Sequence, residues 1–266
     1  MQRNMQFNLA EQELTKLNKE FPEKMKQSVL QYAVEGKLVP QIDTEEPASV
    51  LLEKIREEKE QLIKDKKIKR DKNESVIYRE DGHFYEKVGK KEPVCIDDEI
   101  PFDIPASWEW VRLGNLINLK SGRDLNKLEY NDLEKGIPYI TGASNIVDET
   151  LVINRWTEKP RVVAEKGDLL ITCKGTIGTM CFCTEEVHIA RQIMAIKTIG
   201  GDLLDGLFLE KYLSTQISYF MEHAKSMIPG ISRDDILYLL FPLPPLKEQY
   251  RIVERIEEIL PLIKEL

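Results

Sequence analysis

Three cysteines and a histidine crowd one stretch of the chain: Cys173, Cys181, Cys183 and His188. Thiolates and imidazoles are the ligands zinc prefers, but structural zinc sites usually draw them from paired C-x2-C knuckles. No such knuckle is present, and Cys181 and Cys183 fall on the same face of a predicted strand. Free cysteine behaves as a small buried hydrophobe, so these thiols read as core and His188 as a loop or strand residue. Asp168 and Lys174 invite comparison with a metal-dependent nuclease, which places an acid two residues before its lysine; here that position is Thr172. An adenine methyltransferase needs a Gly-rich cofactor loop and an Asn/Asp-Pro-Pro-aromatic tetrad. The one Pro-Pro pair lies in Leu243-Pro244-Pro245-Leu246, with no polar residue before it and no aromatic after. No catalytic residue, metal or cofactor of the chain's own is expected.

The elements that would position any site fall into four stretches. Residues 1–72 read as helical. Leu14, Leu17 and Phe21 are spaced three and four apart before Pro22 interrupts or restarts the helix. From about Glu23, Met25, Val29, Tyr32 and Ala33 share a face that stops near Gly36. Pro40 and Pro47 bracket a loop, after which Ser49 is a candidate cap for a helix over 49–70. Its stripe is Leu52, Ile55, Leu62 and Ile63, and its Lys-rich tail suits the negative end of the helix dipole. That tail is either a solvated helix end or a phosphate contact.

Residues 73–107 read as a linker, with Asp81-Gly82 at the centre of an alternating patch that predicts a hairpin. Residues 108–245 carry short β-type runs (WVRLGNLINL, IPYITGASNIV, GDLLITCKGTIGTMCFC, ARQIMAIKTI) and one helix from roughly Leu203 to Ala224. This is a domain with its own core. Residues 246–266 begin another helix, entered through Pro244 and Pro245. Ile252, Ile256, Ile259, Ile263 and Leu266 step by four and three along it, a heptad seam, and Pro261 should kink it. Such a seam needs cover from this chain or another. The fold class expected is α+β: one mixed α/β domain flanked by long coiled-coil-like helices.

Of the 266 residues, 42% are hydrophobic, enough for a core, and 32% are charged. No apolar run reaches the length of a membrane span, and the N-terminus lacks the apolar stretch of a signal peptide. A cytoplasmic location with reduced thiols is expected. The net charge of −8 argues against tight, solitary binding to a polyanion. The deficit is concentrated in residues 76–107, with four basic and eight acidic side chains, and a near-neutral domain still presents a basic face if its charges are unevenly distributed.

Five segments, MKQSVLQYAVEGKLVPQ (25–41), EPASVLLEKIREEKEQLIK (46–64), IPASWEWVRLGNL (104–116), GDLLITCKGTIG (167–178) and FPLPPLKEQYRIVERIEEILPLI (241–263), together resemble the specificity subunits of type I restriction-modification systems. They follow the family's order and spacing over nearly everything after residue 20. A full subunit of that family carries two target-recognition domains separated by two long antiparallel helices. The resemblance implies that Trp108–Pro245 is one such recognition domain, with spacer helices before and after it, in a half-length form. It further implies double-stranded DNA as ligand and a DNA adenine methyltransferase as partner, the latter holding S-adenosylmethionine. A restriction/translocase subunit would join through the complex. The two halves of a split target would be read by a homodimer or with a second half-subunit. The competing reading is an interaction protein that sequesters the methyltransferase without reading DNA.

Base reading then falls to polar side chains on loops held by a rigid sheet. In Thr141-Gly142-Ala143-Ser144-Asn145 small residues allow close approach and Asn145 suits adenine; Lys174-Gly175-Thr176 offers amides and an ammonium to phosphate. Arg191 and Gln192, expected in a strand, have the side chains best matched to guanine and adenine edges, unless Arg191 pairs with Glu185 or Glu186. Pro229–Arg233 contributes Ser232 and Arg233, although Ser232 is equally a helix cap. Lys120–Arg123, with Arg123 at its end, is a fourth loop.

Overall fold

The computed structural model describes residues 20–71, 74–223 and 230–265. Leu14, Leu17, Pro229 and Leu266 lie outside them. Helix α1 covers residues 20–34 and runs through Pro22; Gly36 follows at φ +70°, the left-handed conformation of a helix-ending glycine. It buries Leu30, Ala33 and Val34, a face shifted from the expected one, so Tyr32 stands exposed.

Helix α2, Ala48–Lys64, starts one residue before Ser49, and the position expected to hold a cap is taken by Pro47. Ala48 N–H is satisfied instead by the Ser107 carbonyl at 2.9 Å. The helix also ends six residues early. Lys66 adopts φ +58°, and Arg70 turns back to pair with Glu60 at 2.5 and 2.7 Å. The Lys-rich tail is therefore a turn and not a helix end.

The stretch read as a linker carries a three-stranded sheet. Ser75–Glu80 and His83–Val88 pair antiparallel around Asp81 (φ +49°) and Gly82 (φ +89°), the two left-handed residues of a type I′ turn, and Val94–Cys95 adds the third strand. One face of this sheet packs Ile77 and Ile96 on Trp110 and Leu240. Arg112, which donates to Glu86 at 2.6 and 3.0 Å and to Glu99 at 2.7 Å, fastens it to the domain.

Two four-stranded sheets build the domain core. The first orders Met180–Phe182, Leu169–Thr172, Ile193–Thr198 and Ile117–Ser121, all antiparallel. The second orders Val163–Ala164, Val187–Ile189, Ile137–Ile140 and Trp156–Thr157, with a parallel pairing in its middle. The first sheet is buried on both faces, which is why its strands read as continuous apolar runs. Leu169, Ile171, Met194 and Ile196 point into the main core; the alternate residues Leu170, Ile193 and Ala195 join Cys181, Cys183 and Ile189 in a second core. Burial raises the Cys181 thiol to about 11 and Cys183 to about 12, as expected of packed thiols.

Helix α3, Gly206–His223, follows a short 3-10 turn at Gly201–Leu203 and buries Phe208, Leu209, Tyr212 and Leu213 in the main core. Helix α4, Arg233–Leu237, leads into Leu240–Leu243, which pairs with Glu109–Arg112. Helix α5, Leu246–Lys264, continues through Pro261. Its seam is covered by this chain: Ile252 and Ile256 are fully buried with Leu30, Ala33 and Val34 of α1 and the α3 face, Ile263 is buried, and Ile259 is half-buried. The start of α5 is stitched to the N-terminal segment. Buried Glu248 accepts from Trp108 Nε1 at 2.9 Å and from Gln41, while Arg251 pairs with Glu45.

Candidate nucleic-acid interface

The candidate loops come from five separate stretches, and backbone hydrogen bonds draw them together at one end of the two sheets. Ala190 N–H donates to Ile140 O at 2.9 Å, which sets the 190–192 turn beside the 141–145 loop. Cys173 N–H donates to Gln192 O at 2.8 Å, and Ile231 N–H to Cys173 O at 2.9 Å, adding the 174–176 and 230–233 stretches. Arg123 N–H donates to Ile189 O at 2.9 Å and closes the group.

Glycines make these approaches possible. A Cβ on Gly122 would collide with the Ala190 carbonyl, and one on Gly142 would stand 2.6 Å from Gln192 Oε1. Gln192 Oε1 also lies 4.0 Å from the Cβ position of Gly175, so this one side chain spans the gap between two loops.

The five stretches differ in which side chains are left available. Gln192 is exposed, and among the described residues no hydrogen bond engages its amide. It lies in a turn before Ile193–Thr198 and not within the strand, as does Arg191. Lys174 and Arg123 are exposed cations without an ion pair among the described residues; Ser144 and Thr176 are exposed beside them. Arg191 pairs with Asp124 at 2.9 Å, not with Glu185 or Glu186, and the same carboxylate accepts its backbone N–H at 3.1 Å. The Arg191 side chain is still 70% exposed, so the pair leaves most of the guanidinium open to solvent.

Four candidates are occupied by structure: Asn145, Thr141, Ser232 and Arg233. Asn145 is fully buried: its Oδ1 accepts from Thr141 N and Oγ1 at 3.0 Å each, and its Nδ2 donates to Val152 O at 2.9 Å and Asn154 Oδ1 at 3.3 Å. It shapes the loop and offers nothing to a base, and the Thr141 hydroxyl is spent on it. Ser232 accepts from Asp235 N–H at 3.2 Å in a reciprocal capping box, so its side chain starts α4. Arg233 donates to Leu119 O at 2.8 Å and Ser121 Oγ at 3.1 Å, a cation pinned in place with no carboxylate paired to it among the described residues.

One contributor has no signature in sequence: Asp124, which orients Arg191. Lys120, by contrast, is drawn away into an ion pair with Glu165 at 3.0 Å. Together with Lys197 it holds the Glu165 carboxyl down to about 2. His188 is buried in its strand, its Nδ1 donating to Val162 O at 2.9 Å, and burial lowers its basicity.

A face built this way, with an open amide, two cations unpaired among the described residues and a largely exposed Arg191 side chain over a rigid sheet, suits contact with base edges and phosphates. The family model for the type I restriction modification DNA specificity domain matches residues 105–265, which include every one of these loops. The chain belongs to that family. The family's domain is the DNA specificity domain of type I restriction-modification systems.

Similar proteins include the specificity subunits of the type I restriction enzymes EcoAI and EcoEI of Escherichia coli, each 28% identical. The alignments cover 89% and 88% of this chain and 39% of each relative. This chain thus spans about two fifths of the length of the curated relatives it matches. Among solved structures, the HsdS subunit from Thermoanaerobacter tengcongensis superimposes with a TM-score of 0.55 at 27% identity, over 62% of this chain and 41% of that one. A chain from a study of complex assembly and conformational transition in a type I R-M system gives 0.57 at 28% identity, with the same coverage. These likenesses support the α+β fold of the specificity domain.

Proposed function

We propose that this chain reads one half of a split DNA target and so directs a DNA adenine methyltransferase, and through it a restriction subunit, to that sequence. The observation that carries the reading is the convergence of five separate stretches on one face where, among the described residues, the side chains of Gln192, Lys174 and Arg123 have no hydrogen-bond or ion-pair partner. Gln192 and Arg191 read bases, Lys174 and Arg123 hold phosphates, and Asn145, Ser232 and Arg233 fix the loops. The outer surfaces of α2 and α5 dock the methyltransferase and set the distance to the other half-site. A second recognition domain, from another copy or a second half-subunit, reads that half. S-adenosylmethionine and the flipped base belong to the methyltransferase. The modest number of free cations fits a domain whose partner supplies further phosphate contacts, and so meets the objection raised by the net charge.

The test is reconstitution. Purified chain alone should neither methylate nor cut DNA; with methyltransferase and S-adenosylmethionine, methylation should appear at one defined sequence in a random-sequence pool. Binding to the methyltransferase with no sequence preference in the product would favour the sequestering reading instead.

A further inference from the structure

The outer face of the three-stranded sheet carries a cluster that the DNA-reading face does not use. Tyr85 pairs with Cys95 across the two strands, and alternation places His83, two residues before Tyr85, on the same face as both. Asp97 follows Cys95 by two at the start of a 3-10 turn. The opposite face is the one packed on Trp110, through Ile77 and Ile96. His83 Nδ1 stands 2.6 Å from Asp97 Oδ2, and a nitrogen, a sulfur and an oxygen from His83, Cys95 and Asp97 all lie within 4.8 Å of one another.

These are three different donor atoms of the kinds zinc takes, and they are held, not merely near. Phe84 N–H donates to Asp97 Oδ1 at 2.7 Å, leaving Oδ2 aimed at the imidazole. The strand pairing fixes His83 and Cys95, and Ile96 N–H donates to Phe84 O at 2.9 Å beneath them. An exposed carboxylate alone has no preference for a soft cation, but an imidazole and a thiol beside it do. Cys95 is also the exposed cysteine of the chain, whereas Cys173, Cys181 and Cys183 are buried.

We propose that His83, Cys95 and Asp97 form a surface site for one divalent cation of the zinc class, with the fourth position open to water or a partner's ligand. Binding displaces the Cys95 thiol proton to solvent and replaces the His83–Asp97 hydrogen bond, the imidazole binding through Nδ1 as the neutral tautomer that keeps its proton on Nε2. It joins the hairpin to the strand that leads into the recognition domain, so the cation acts as a clip on the sheet edge.

Cobalt(II) is the probe. The full chain, stripped with chelator and kept reduced, is titrated with cobalt and followed by absorbance. One equivalent should bind with a thiolate-to-metal charge-transfer band that zinc then displaces. The band should vanish in Cys95→Ser, and affinity should fall by about tenfold or more in His83→Ala and Asp97→Asn. Zinc should also slow alkylation of Cys95 in the unaltered protein, a readout independent of the variants' folding. A titration without the charge-transfer band, a band that survives Cys95→Ser, or alkylation unchanged by equimolar zinc would each overturn the site.

Discussion

Gln192 and Asn145 carry the same amide, and their surroundings divide the labour between them. Gln192 reaches across Gly142 and Gly175 in solvent, whereas every polar atom of Asn145 is engaged inside the 141–145 loop. Replacing Gln192 with Ala should leave the melting temperature unchanged and relax sequence preference, costing about 1–3 kcal/mol on the preferred site if its contact is bidentate. Asn145→Ala should act in the opposite sense. It strands the Thr141 amide and the Val152 carbonyl and should lower stability by about 2 kcal/mol or more, visible in denaturant unfolding without DNA. Lys174→Ala should weaken binding to all sequences alike and reduce the salt slope by about one unit, because an ammonium acts on phosphate as a point charge. A Lys174 variant that altered sequence preference at constant salt slope would place that side chain on a base. Arg191→Ala separates two roles by the same logic: lost preference marks base contact, while a lower melting temperature with preference intact marks Asp124 as its only partner.

The elements explain which side chains were legible in advance. The loops show in the sequence as Gly-containing breaks between β-type runs, and the first sheet and α3 largely follow the expected elements. By contrast, Trp156–Thr157, Val163–Ala164 and Val187–Ile189 of the second sheet, only two or three residues long, lie outside those runs. The amide of Asn145 reads as a base contact because a buried loop latch and an exposed base reader have the same local sequence. Only the approach of Val152 and Asn154 distinguishes them. Asp124 was invisible as a partner of Arg191 for the same reason: the two are 67 residues apart and meet through the sheet. The seam on α5 was read correctly as apolar but without its cover, which comes from α1 and α3. Ile256→Ala should therefore destabilise the single chain by about 2–5 kcal/mol, as a cavity in a core does, and its unfolding midpoint should not depend on protein concentration. Glycine contacts give a paired test. Gly142→Ala meets only the flexible end of Gln192 and should fold normally with altered preference, while Gly122→Ala meets the Ala190 carbonyl and should destabilise the domain.

At the scale of the whole molecule, the carboxylates decide how the fold responds to acid. Glu165 is held at about 2 by Lys197 and Lys120, below its ordinary 4.5. Its contribution is complete above pH 4.5 and is lost as pH falls toward 2; at this half-exposed position screening leaves about 1 kcal/mol or less. Glu165→Gln should flatten stability across that interval and nowhere else, as measured by denaturant midpoints. Buried Asp168, whose carboxyl is pushed up by desolvation, works against it, since its ionised form disfavours the fold. The same scale holds the central claim, that this chain supplies the sequence preference of a methyltransferase through one loop face. The direct measurement is the map of methylated sites produced on a random-sequence DNA pool by one methyltransferase, reconstituted with the unaltered chain or with Gln192→Ala. The unaltered chain should confine methylation to a single interrupted sequence, and the variant should broaden it at the matching position of each half that a copy of this chain reads. Identical maps from the two complexes, or the same map without the chain, would contradict the claim.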